Sequence, residues 1–365
     1  MHHRPAVAVL AVLALAPAAP AHAEALRELR LQLSGDPGRA FAVENLAGTM
    51  RVVAAAGDAV VAIARVHAET DELASAMRFE QVTGDKGIPT LRVRYPVDRH
   101  RAFRYGHGRD ATDGIGWLEA LFGAFGGSSI DYDGTRVTVS RGRGVMVYAD
   151  VEVQVPRRVL EASFVNRVGP VSGEDVRGRL RFDTGSGSVN VRRLEGQVVA
   201  DTGSGDVHAD EMKGSFTCDT GSGNCEITGF SGEDLVCDTG SGDVRLVRVD
   251  ARRVRLDTGS GNVDVREAEA EELVADTGSG DVDVDLDGAR LERVKADTGS
   301  GDVRLKLGAA ASFHVRANTG SGDVVSHYSD AEAIRDGRKV VGYRRGDGRI
   351  RVHADTGSGD VVLAP

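Results

Sequence analysis

The chain has 365 residues, with 47 glycines, 5% aromatic residues, 41% hydrophobic residues and a formal charge of −10. So few aromatics among so many glycines disfavour a large core built on aromatic anchors, while the ordinary hydrophobic content excludes wholesale disorder. The acidic balance argues against nucleic acid as a partner.

Residues 1–23 read as a secretory signal peptide. Arg4 gives a short positive start, Val7 to Ala16 form an apolar run, and Ala21-His22-Ala23 supplies a small-x-small cleavage pattern. The run is too short to span a membrane. Cleavage would leave a mature chain starting at Glu24, soluble in the periplasm or at the cell surface, with no transmembrane segment. Losing Arg4 and no acid would change its charge from −10 to −11. No cysteine adjoins the cleavage point to take a lipid anchor.

Residues 24–98 read as a β-rich N-terminal region with degenerate coils, carried by Phe41 to Gly48 and the alternating Val60 to Val66. Leu91 to Tyr95 reads as a strand ended by Pro96. Residues 99–134 form an irregular insert. Trp117, Leu118, Leu121, Phe122 and Phe125 there suit a short amphipathic helix, read as a cap over the flank of the fold or as a docking site. Strands resume at Arg136 to Ser140 and at Val145 to Val155.

Residues 135–365 carry nine copies of a DTGSG-type motif, beginning at Asp183, Asp201, Asp219, Asp238, Asp257, Asp276, Asp297, Asn318 and Asp355. The first seven spacings run from 18 to 21 residues and the last is 37. With the motif Asp as position zero, apolar residues fall at −3 and −1 (Leu235 and Cys237) and again at +6 and +8 (Val244 and Leu246), with polar residues between them. This is strand periodicity on both sides of a turn. A third apolar point recurs at +11 in Leu194, Met212, Phe230 and Val249. The pattern predicts an all-β, single-chain β-solenoid (β-helix) of about 19-residue coils. One coil buries too little to fold alone, so stability must grow by stacking. In the turn, glycines at +2 and +4 suit positive φ, and Thr at +1 suits an inward ladder of hydroxyls. The 37-residue spacing implies an unmarked coil or a protruding hairpin turning at Arg344 to Gly348. The last coil reads as uncapped, with no obvious capping segment after it.

These residues resemble those of a bacterial exported family known as "putative adhesin", a domain of unknown function with β-solenoid folds. The resemblance spans about residues 40–365. It rests on Val43-Glu-Asn45-Leu-Ala-Gly48, Val151-Glu-Val-Gln-Val155-Pro156, the repeated Ser-Gly-Asp-Val turns and Gly346-Asp-Gly348-Arg-Ile350. It implies no catalytic residues.

Asp-Thr-Gly-Ser-Gly also occurs around the aspartates of pepsin-like proteases, but those need one close pair rather than a row. Calcium is a sharper alternative at position +5, where Asp206, Asp243, Asp281, Asp302 and Asp323 recur. Asn224, Asn262 and Ser188 share that column, which suits hydrogen bonding to the turn better than charge. We expect no metal, cofactor or catalytic residue. Cys218, Cys225 and Cys237 occupy inward columns. Cys218 and Cys237 share position −1 of adjacent coils and are the candidate disulfide, with core thiols as the alternative. The histidines after residue 23 (His67, His100, His107, His208, His314, His327, His353) show no ligand spacing.

Two function classes remain. The first is a non-catalytic binding or structural scaffold of the cell envelope, with an envelope protein or polysaccharide as partner, or with self-association through an open end. The second is a carbohydrate-active β-helix enzyme, for which Asp264 and Asp283 at position +7 of adjacent coils are the acidic pair. A calcium-stabilised, self-assembling solenoid is a variant of the first.

Overall fold

The computed structural model describes residues 25–33, 39–84, 87–106 and 128–365. The signal peptide and its cleavage site, the Trp117 segment and His107 lie outside the described residues.

Alternation converts directly into burial. In the Asp238 coil, Leu235, Cys237, Val244 and Leu246 are fully enclosed, and Val249 at +11 is almost so. Parallel in-register pairing then stacks like on like, with Asp219 beside Asp238, Asp238 beside Asp257 and Thr239 beside Thr258. The solenoid expected from the repeats is the observed fold. Each coil supplies one rung to each of two ladders, and the core lies between them. Val207–Thr220, Cys225–Thr239, Val244–Thr258 and Val263–Thr277 run unbroken from the second ladder to the first.

The bend inside these long strands sits at position +10. Asp175, Arg193, Glu211, Gly229, Arg248 and Glu267 stack there, all with φ between 49° and 71°. Left-handed backbone is costly for residues with a Cβ. It persists because it turns the following side chain inward, so that Leu194, Met212, Phe230 and Val249 close the core.

The stack does not follow chain order at either end. Ile350–Thr356 of the last coil pairs with Arg293–Thr298 on one side and with Phe313–Thr319 on the other. Val361–Ala364 is likewise held between Val303–Lys306 and Val324–Ser326. The ninth motif is therefore sandwiched between the seventh and eighth. The 37-residue interval makes this possible, because it folds as the hairpin Glu332–Asp336 and Lys339–Arg345. The hairpin turns at Gly337, where φ is 60°, rather than at Arg344 to Gly348. It also does not protrude, since its second strand pairs antiparallel with Phe313–Thr319. The open end expected at the last coil is thus corrected: the Asn318 coil is outermost, and the hairpin covers its first rung.

The N-terminal end repeats the device. Phe41–Ala47 lies between Pro89–Arg94 and Arg158–Val168. Met50–Ala55 lies between Val145–Pro156 and Val171–Glu174. Asn45, Asn166 and Thr184 share one register, so the degenerate coils continue the inward polar column with asparagine. Asn166 Nδ2 donates to the Gly48 carbonyl at 2.7 Å, and Thr184 Oγ1 donates to that of Gly169 at 2.9 Å. Val61–Ala68, read as a degenerate coil, is instead an antiparallel strand between Ala25–Gln32 and Val145–Pro156. The only helix among the described residues, Asp71–Ala76, was not legible as periodicity. Thr70 caps it by accepting from the Leu73 N–H at 3.2 Å.

Candidate functional site

The conserved geometry of the repeated turn is explained by neighbouring coils rather than by a ligand. Thr239 Oγ1 accepts the Gly242 N–H at 3.1 Å and donates to the Gly223 carbonyl of the preceding coil at 2.8 Å. Thr258 and Thr277 do the same one and two coils on. The hydroxyls form an inward column as expected, but each bonds to backbone and not to the next hydroxyl. The glycines serve a different purpose from the one expected. From Gly203 onward those at +2 and +4 avoid the left-handed region. A Cβ on Gly242, however, would stand 1.9 Å from the Gly223 carbonyl oxygen. Close approach of stacked turns excludes every side chain there.

The calcium candidates fall in one column and are engaged within it. Asp206 Oδ1 accepts the Asn224 N–H at 2.8 Å, and Asn224 Oδ1 accepts that of Asp243 at 2.9 Å. The chain of bonds continues through Asp243, Asn262, Asp281, Asp302 and Asp360 to the Asp323 N–H. An Asn or Asp oxygen serves equally, which accounts for their interchange. Among the described residues no three His, Cys, Asp or Glu side chains are grouped to hold a metal ion.

The disulfide expectation is corrected. Cys218 pairs with Cys225 of the same coil, with Cα atoms 6.7 Å apart, and Cys237 is a buried free thiol. Cys218 and Cys237 are register neighbours, so their Cβ atoms project in parallel at the ~4.8 Å rung spacing rather than converging. Positions −1 and +6 flank the turn and face each other across the core. Treating them as separate columns hid this pairing. Burial pushes the Cys237 thiol well above its usual range.

Motif aspartates stack as a single outward column. Burial, then the flanking motif carboxylates, raise Asp238 and Asp276 above the usual carboxylate range. The row offers no facing pair of the protease type.

Asp264 and Asp283 are register neighbours, as the repeat implied. Arg266 bridges them, with Nε 2.6 Å from Asp264 and a terminal nitrogen 3.2 Å from Asp283. Similar ribs run along both outer faces. Arg253 meets Asp234 at 2.6 Å, Arg181 meets Asp201 at 2.5 Å and His208 meets Glu226 at 3.2 Å. His353 meets Asp355 at 3.1 Å.

One surface feature escaped the sequence reading. Past the Asp276 coil, positions −4 and −2 hold Arg293 and Lys295, then Arg351 and His353, then His314 and Arg316, and Arg344 of the hairpin lies opposite His314. Six of these line a shallow groove of about 430 Å³. No sequence signal marks it, because its rungs come from three separated segments.

The fold and these faces define a single-chain β-solenoid whose repeats are stacking devices. Residues 213–364 match the family described as Toastrack DUF4097. The match starts at Lys213, so Val43 to Gly48 and Val151 to Pro156 lie before it. A "putative lipid binding protein" from Parabacteroides distasonis is similar at 12% identity and a TM-score of 0.40, covering 94% of this chain and 97% of its own. A "putative adhesin" from Bacteroides fragilis is similar at 11% identity and a TM-score of 0.37, covering 94% and 99%. Another "putative adhesin", from Parabacteroides merdae, gives 10% identity and 0.33, covering 93% and 96%. No curated protein matches the chain.

Proposed function

We propose that this chain is an exported, non-catalytic protein of the cell envelope that serves as a binding or structural scaffold, with an envelope protein or polysaccharide as partner. One observation carries the reading. The repeated polar groups are spent on joining coils, and the acidic pair at position +7, Asp264 and Asp283, is bridged by Arg266. A glycosidase pair needs its carboxyls open to the scissile bond, whereas both of these are engaged by the Arg266 guanidinium.

Affinity capture from envelope extract, with the full chain as bait, tests the scaffold reading. One saturable protein or polysaccharide partner is the expected result, and recovery of the bait alone, as multimers, would replace it with self-assembly. A polysaccharide-cleaving activity abolished by Asp264→Ala would overturn the non-catalytic part.

A further inference from the structure

We infer that the C-terminal basic face is a docking strip for an acidic polysaccharide, lying along the solenoid axis. The inference rests on the scaffold reading and names a surface and a partner chemistry for it.

In columns −4 and −2 of one outer face, four successive rungs hold no acid, while Asp297 and Asp355 stand in the adjoining motif column. Arg293 stands beside Arg351, Arg351 beside His314, and His314 opposite Arg344. Lys295, His353 and Arg316 form the parallel row. Arg293 reaches back to Glu272 at 2.6 Å, Lys295 pairs with Asp297, and His353 pairs with Asp355. Arg316, Arg344 and Arg351 make no ion pair among the described residues.

Earlier rungs of the same two columns behave otherwise. Arg179 meets Glu161 at 3.1 Å, Arg181 lies against Asp183 and Asp201, and Arg253 reaches Asp234 at 2.6 Å. Like charges in register destabilise a ladder, and opposite charges support it. In columns −4 and −2 the C-terminal rungs therefore give up a gain that the earlier rungs take. A bound polyanion would restore it.

The shape and surroundings select the occupant. Cationic rungs ~4.8 Å apart match a linear polymer better than a compact ligand. Among the described residues the exposed large hydrophobics are Leu26, Leu160 and Val325, and none lies in the strip. A bilayer surface would want an apolar anchor beside the charges, a protein partner an aromatic hot spot, and single-stranded nucleic acid a stacking platform. With a formal charge of −10 over the whole chain, a long polyanion is held at the strip and repelled elsewhere. Carboxylate and phosphate-ester polymers share the chemistry required.

The test titrates the full chain with polygalacturonate, a teichoic-type polyphosphodiester, neutral dextran, duplex DNA and phosphatidylglycerol vesicles. Binding to either acidic polysaccharide, weakening with salt and absent for dextran, is expected. Arg316→Ser with Arg351→Ser should weaken it by about tenfold or more without moving the melting temperature. The control pair Arg179→Ser with Arg253→Ser, on ion-paired rungs of the same face, should not. No binding, equal loss in the control pair, or tighter binding of DNA or vesicles would overturn the strip. An envelope partner still captured by the Arg316/Arg351 variant would sink the strip but keep the scaffold reading. Failure of capture by the wild type would count against that reading itself.

Discussion

Thr239 and Gly223 are joined across two coils: the threonine hydroxyl donates to the glycine carbonyl at 2.8 Å while accepting the Gly242 N–H of its own turn. The hydroxyl satisfies two buried backbone groups that no strand partner reaches. Thr239→Val keeps the shape and removes both bonds, and should cost about 1–3 kcal/mol. Thr239→Ser keeps the hydroxyl and should cost less. Chemical denaturation of both variants checks the order.

The two kinds of glycine should respond to different degrees. Gly242→Ala places a Cβ 1.9 Å from the Gly223 carbonyl oxygen, so the coils must part, and a loss above ~3 kcal/mol or failure to fold is expected. At Gly229, φ is +71° and the nearest atom to an added Cβ is 3.6 Å away. Gly229→Ala should therefore lose only the left-handed backbone cost of about 1–2 kcal/mol. In the same column Glu211→Gly, at φ 54°, should gain about 1 kcal/mol. Melting temperatures of the three variants decide this.

Asp238 sits between Asp219 and Asp257. Desolvation, then those two neighbours, raises its folded pKa. The native state thus holds the proton more tightly than the unfolded state. Its contribution is most favourable below the ordinary carboxylate pKa and is lost as pH rises through the raised value. Asp238→Asn should gain roughly 1 kcal/mol near pH 7 in low salt, from two exposed repulsions of ~0.9 kcal/mol each before salt screening. The gain should fade in acid and in high salt; a constant gain at all pH values would point to another cause.

Free-thiol titration of unfolded, unreduced protein should find one thiol, that of Cys237, since Cys218 pairs with Cys225. In the folded state Cys237 should resist thiol reagents, being buried with a raised pKa. Peptide mapping that links Cys218 to Cys237 would refute the assignment.

Removing residues 350–365 should cost more than one coil. Ile350–Thr356 carries Phe313–Thr319 on its outer edge, and that strand carries the hairpin. Hydrogen exchange of the truncated chain should show lost protection from Phe313 to Arg345 while the Asp201 to Asp276 coils stay protected. Protection confined to its normal pattern would mean that the Asn318 coil can dock directly on the Asp297 coil.

Sequence alone determined the coil. The period, the inward columns from −3 to +11 and the small turn residues are local consequences of strand alternation and of repetition, because each coil meets neighbours like itself. The pairing of Asp264 with Asp283 and the interchange of Asp and Asn at +5 follow from the same register. What the tertiary structure decided is the order of coils at both ends, the pairing of Cys218 with Cys225, the bridging by Arg266 and the assembly of the Arg293, Arg351, His314 and Arg344 strip. Each depends on which surfaces meet across the core or at a broken repeat, where equal apolar patterns fit more than one neighbour. Close approach of backbones, not glycine's dihedral freedom, likewise became visible only once the turns were stacked.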